Sequence, residues 1–92
     1  MLMHDVTSVK VLVSPRLELV FDNGLIGVID VAQVINSFDG VFAPLMDDAF
    51  FRQVVVNPEL GTIVWPNGAD LCPDVLYAHA AGQQPLLEAP LA

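Results

Sequence analysis

The chain has 92 residues, 54% of them hydrophobic and only 15% charged, and its eleven carboxylates against three cations give a net charge of −8. That length holds one domain with one core, and at roughly 60 to 65% burial a domain of this size leaves apolar surface over for a partner subunit or a groove. Lys10, Arg16 and Arg52 are too few and too scattered to neutralise a phosphate backbone, which argues against direct binding of nucleic acid.

Met1 to Val6 lacks the basic start and apolar core of a signal peptide. No apolar run approaches the roughly 20 residues of a membrane span. A single cysteine, Cys72, cannot close an internal disulfide. A cytoplasmic chain without a membrane segment is therefore expected.

In chain order, Val9, Val11 and Val13 alternate with polar positions, the period of a strand that Ser14-Pro15 then closes. A second strand places Leu17, Leu19 and Phe21 on one face. Asp22-Asn23-Gly24-Leu25 predicts a two-residue hairpin loop with Asn23 and Gly24 at positive φ. Such a loop pairs Phe21 with Ile26 and Leu19 with Val28 on one face, and leaves Val20 and Ile29 on the outer one. Asp30 with Gln33 has the spacing of a capping box that starts a short helix, closed by Asn36 to Gly40.

A second short helix begins at Asp47 or Asp48 and carries Phe50 and Phe51 towards Val54, with Phe42 and Leu45 in the linker before it. Val54 to Val56 and Thr62 to Trp65 read as a β pair around the loop Asn57 to Gly61. Trp65-Pro66-Asn67-Gly68 is a turn with no strand pattern after it. The last helix starts with Pro73 at its first position and Asp74 near its positive end, turning Leu76 and Tyr77 inward. From Gly82 onward, Pro85 and Pro90 interrupt any helix. Residues 1–81 are thus expected to form one domain and 82–92 a flexible tail, with no internal repeat. The expected fold is α+β: a small antiparallel sheet of about five strands with two or three short helices, in the order ββ-β-α-α-ββ-α.

The residues Phe21-Asp22-Asn23-Gly24, Asp30-Val31, Gly40 through Asp47, Phe51, Gly61 through Leu71 and Pro73 through Tyr77 closely resemble domain-of-unknown-function family 2442. The resemblance covers nearly all of Val6 to Tyr77, and Trp65 to Leu71 is its most specific part. It implies a small α+β domain of bacteria, found alone or fused to a helix-turn-helix domain. It also implies an antitoxin-like role, because members often lie beside genes for a small basic toxin-like protein. No helix-turn-helix segment follows Tyr77 here. The chain departs from the family pattern at Cys72, where Ser usually precedes the Pro, and at Asn57, where Asp is common.

Ser at position 72 would cap the last helix, a task a thiol does poorly. A thiolate at a helix start has a lowered pKa and is reactive, whereas a buried thiol is a small apolar group; the second reading is the expected one. Cys72 and His79 lie seven residues apart, about 10 Å along a helix and beyond proton transfer. His4, alone in a terminal segment, is expected to face solvent. Asp47 with Asp48, and Asp70 with Asp74, fit turns and helix starts better than a metal site. No catalytic constellation, metal cluster or cofactor loop is recognisable.

One constellation stands out as a candidate binding site: Trp65, Asn67, Asp70 and Tyr77, with Pro66 among them. An indole, a turn with free amides and a carboxylate together suit a peptide or a small polar ligand. In the alternative, Trp65 closes the core while Asn67 and Asp70 satisfy backbone amides. Two functions follow. The first is a non-enzymatic protein-interaction module, a homodimer that partners a small basic protein; the second is a small-ligand-binding domain built on Trp65 to Tyr77.

Overall fold

The computed structural model describes residues 4–35 and 37–82. The expected flexible tail lies outside these residues, apart from Gly82, which ends the last helix. The architecture is α+β. Strands β1 (Val6–Val11), β2 (Arg16–Phe21) and β3 (Ile26–Asp30) form one antiparallel sheet in that order, and β4 (Val55–Asn57) pairs with β5 (Thr62–Val64) in a second. Five strands are present as expected, but divided three and two. The two sheets meet where the Val6 amide donates to the Gly61 carbonyl at 2.9 Å and β1 lies against β4 and β5.

Alternation decides the core of the first sheet. Leu17, Leu19 and Phe21 are each at most 1% exposed, so β2 turns one full face inward. On β3, however, the buried positions are Gly27 and Ile29, not Ile26 and Val28. The reason is the loop. Gly24 N–H donates to the Phe21 carbonyl and Phe21 N–H to the Leu25 carbonyl, both at 2.9 Å, with Gly24 at φ 91°. This is a three-residue loop ending in a glycine bulge, one residue longer than the expected turn. It sets Val20 opposite Ile26, Leu19 opposite Gly27 and Leu17 opposite Ile29, and a slip of one residue exchanges the two faces of a strand. Ile29 therefore belongs to the core and not to the outer face.

Helix α3 (Pro73–Gly82) packs on that inner face where Gly27 leaves room for it; a Cβ at position 27 would come within 2.7 Å of both the Cβ and the carbonyl oxygen of Ala80. Pro73 opens the helix as its fixed φ favours, and Leu76 and Ala80, four residues apart, are fully buried on one stripe. Helix α1 (Val31–Ile35) is started by Asp30, whose Oδ1 accepts the Ala32 amide at 2.9 Å, while Gln33 remains exposed. The segment Gly40–Met46, expected as linker, is a 3-10 helix with Pro44 inside it and Leu45 buried. Helix α2 (Asp48–Phe51) follows directly and buries Phe51.

Candidate functional site

The four residues singled out in the sequence have separate surroundings. Trp65 is 2% exposed, and its Nε1–H donates to the Phe51 carbonyl at 3.0 Å, tying the end of β5 to α2. Its ring lies 5.9 Å from that of Phe51. An indole so enclosed offers no face to a ligand. Asn67 is exposed, but both ends of its amide are used: Oδ1 accepts the Ala69 amide at 3.1 Å and Nδ2 donates to the Val41 carbonyl at 2.9 Å. Asp70 is exposed and forms an isolated antiparallel bridge with Val64. The Trp65 turn is thus a small hairpin, although no strand pattern follows it in the sequence. A single bridged residue has no period to detect.

Tyr77 keeps different company. It is half-buried on α3, its hydroxyl accepts a hydrogen bond from Asn23 Nδ2 at 2.9 Å, and its ring meets Phe21 edge-on at 5.0 Å. His4 stacks on the same ring at 3.9 Å and is itself half-buried, not free in solvent as its terminal position implied. The aromatic surface of Tyr77, hidden from any sequence period, is what fixes it there. Cys72 is exposed rather than buried, and its carbonyl accepts the Leu76 amide at 3.0 Å in the first turn of α3. A residue that caps a helix lies outside the helical stripe, so it does not share the burial of Leu76.

Two hollows are formed by residues other than these four. One, of about 200 Å³, is lined by Arg16, Val28, Ile29, Asp30 and Gln33. The other, of about 420 Å³, runs between β1 and β4, with Val6, Val56 and Pro58 as apolar lining and Asp5 and Asp22 as carboxylates. The strand pairing creates this second arrangement: the Asp22 amide donates to the Asp5 carbonyl at 2.9 Å, bringing together acids seventeen positions apart. The Asp5 carboxylate also lies against Gly61, where a Cβ would have no space. A signal for it was present in the sequence, since Asp5 and Asp22 flank the paired ends Val6 and Phe21. The pairing of β1 with β2 shifts register between Val6 and Ser8, and no period in the sequence reveals that shift.

Among the described residues, no group of three or more His, Cys, Asp or Glu side chains is placed to hold a metal ion. No helix among them is long and apolar enough to cross a membrane. Over residues 6–82 the chain matches the family model described as a protein of unknown function, DUF2442. The chain belongs to this family. No curated protein and no solved structure matches it. Within the matched residues, the Trp65 to Leu71 string is a hairpin pinned by Trp65 and Asn67 to α2 and the 3-10 helix.

Proposed function

We propose that this chain is a non-enzymatic protein-interaction module of the bacterial cytoplasm that forms a homodimer and binds a small basic protein, in the manner of an antitoxin. The observation that carries the reading is the hollow between β1 and β4, where Asp5 and Asp22 stand beside Val6, Val56 and Pro58 on a chain of net charge −8. Lys and Arg side chains place an aliphatic stem on apolar surface and keep a charged head at its margin. An apolar floor with carboxylates at its edge suits that shape. The surrounding negative potential speeds the encounter, and the buried stem then holds the complex.

The small-ligand reading has less support, because Trp65 is enclosed and Asn67 is spent on the Ala69 amide and the Val41 carbonyl. The test is co-expression of the chain with the products of its neighbouring genes, followed by measurement of the dissociation constant of any complex at low and high salt. Exposed charges are screened beyond about 8 Å at physiological ionic strength, so affinity should fall about tenfold or more as salt rises. Asp5→Asn with Asp22→Asn should weaken the complex at low salt. Failure to capture any protein, together with tight binding of a small molecule that quenches Trp65 fluorescence, would favour the ligand reading instead.

A further inference from the structure

The face of the first sheet turned away from the core is built in rows. Ser8, Val20 and Ile26 lie opposite one another, then Lys10, Glu18 and Val28, then Arg16 and Asp30. Directly opposed residues of an antiparallel sheet point to the same side; on β2 and β3 these residues alternate with buried Leu17, Leu19, Phe21, Gly27 and Ile29, and on β1 with half-buried Val9 and Val11. None of the eight is buried: Ser8, Lys10, Arg16 and Ile26 are exposed, and Glu18, Val20, Val28 and Asp30 are half-buried.

The charge on this face differs from that of the rest of the chain. It holds two of the three cations and two carboxylates, so it is electrically neutral, and the whole net charge of −8 lies elsewhere. The third cation, Arg52, is bound to Asp48 at 2.8 Å in an exposed pair. Lys10 and Glu18 stand opposite each other, as do Arg16 and Asp30, yet the Arg52–Asp48 pair is the one ion pair closed among the described residues. Neither cross-strand pair is closed, although one Asp30 oxygen is engaged by the Ala32 amide.

We propose that this face is the surface on which a second copy of the chain docks. Two copies of net charge −8 repel each other through every surface that carries the excess. Only a neutral face escapes that. In a two-fold interface residue i meets j while j meets i, so a face carrying both signs at separate positions can match its own cations to the other copy's carboxylates. The valines at 20 and 28 supply the apolar centre such a contact needs. This inference deepens the homodimer in the proposed function, but it stands apart from the hollow that receives the basic partner.

The test uses the full chain and two substitutions with the same effect on net charge. Lys10→Glu reverses a cation on the neutral face, and Arg52→Glu reverses one elsewhere; both residues are exposed, and circular dichroism checks that each variant folds. Sedimentation equilibrium should find a wild-type dimer at micromolar concentration, and Lys10→Glu should weaken dimerisation about tenfold or more relative to Arg52→Glu. A wild-type monomer throughout, or equal weakening by both variants, would overturn the assignment of this face. Capture of the basic partner by the Lys10→Glu chain would show that the hollow works independently, so failure of the dimer removes the homodimer from the proposed function and leaves its partner binding standing.

Discussion

Two turns in this molecule are near copies of each other, though they lie more than forty positions apart and no repeat is visible in the sequence. Phe21-Asp22-Asn23-Gly24-Leu25 and Trp65-Pro66-Asn67-Gly68-Ala69 each begin with a buried aromatic residue, whose carbonyl accepts the glycine amide at 2.9 Å and whose amide reaches the fifth carbonyl at 2.9 Å. In each, the asparagine Oδ1 accepts the amide two residues on at 3.1 Å, and the glycine has φ of 91° or 90°. They differ in what surrounds them. The first joins two full strands, so a ladder of paired residues continues from it on both sides. The second leads from β5 into one bridged residue, so its position depends on Trp65 Nε1 to the Phe51 carbonyl and Asn67 Nδ2 to the Val41 carbonyl. The same local geometry is a hairpin loop in one place and a tertiary anchor in the other.

The largest effect expected bears on the first turn. Its bulge sends Ile29 inward and Val28 outward, so Ile29→Asp should cost more than about 4 kcal/mol and prevent folding, since it buries an unpaired carboxylate. Val28→Asp should be tolerated by the fold, within about 1 kcal/mol by urea denaturation at concentrations too low for dimerisation. The reverse ranking would return the hairpin to the two-residue loop that the Asn-Gly pair first implies.

That pair explains how far the sequence could be read. Leu17, Leu19 and Phe21 sharing a buried face, the starts of α2 and α3, and the five strands were all legible from period and capping residues. Asn-Gly, however, serves two-residue loops and longer bulged ones alike, and only packing decides between them. Here the decision comes from Ala80, which fits against Gly27 and would not fit against a side chain. The 3-10 helix from Gly40 to Met46 was hidden because Pro44 within it reads as a break. For the candidate site, residue types were a poor guide. Trp65 and Asn67 are absorbed by the fold, while Asp5 and Asp22 come together only through strand pairing.

Next in size, Trp65→Ala should cost about 3 to 5 kcal/mol, as loss of a buried aromatic does, and should also leave the Phe51 carbonyl without its donor. Trp65→Phe keeps most of the packing and isolates that hydrogen bond, at about 1 to 3 kcal/mol. If the phenylalanine variant matched wild type in thermal denaturation, the second turn would not be an anchor.

The two glycines should behave alike. Apart from its own chain neighbours, neither Gly24 nor Gly68 has an atom within 4 Å of where a Cβ would stand, so the cost of Gly24→Ala and of Gly68→Ala is that of positive φ alone, about 1 to 2 kcal/mol each. Denaturation midpoints that differ widely between them would break the likeness of the turns.

The smallest difference is carried by the asparagines. Asn23→Asp and Asn67→Asp both keep the Oδ1 acceptor of the turn and lose the Nδ2 donor. The Asn67 change should cost about 1 kcal/mol more than the Asn23 change, because it brings a carboxylate against the Val41 carbonyl, whereas in the first turn the Tyr77 hydroxyl can rotate and donate to the new carboxylate. Equal losses in paired urea titrations would mean that the Asn67 bond to the Val41 carbonyl does not anchor the second turn.

The central claim is that the Trp65 region serves the fold and the acidic exterior serves recognition. Trp65 is the chain's single tryptophan, so acrylamide quenching of its fluorescence reads that residue and no other. The account predicts that the native chain is quenched several-fold less than the urea-unfolded chain, and that saturation with the captured basic partner leaves the native value unchanged. Equal quenching in the native and unfolded states, or strong protection on partner binding, would place Trp65 at the surface where recognition occurs and contradict it.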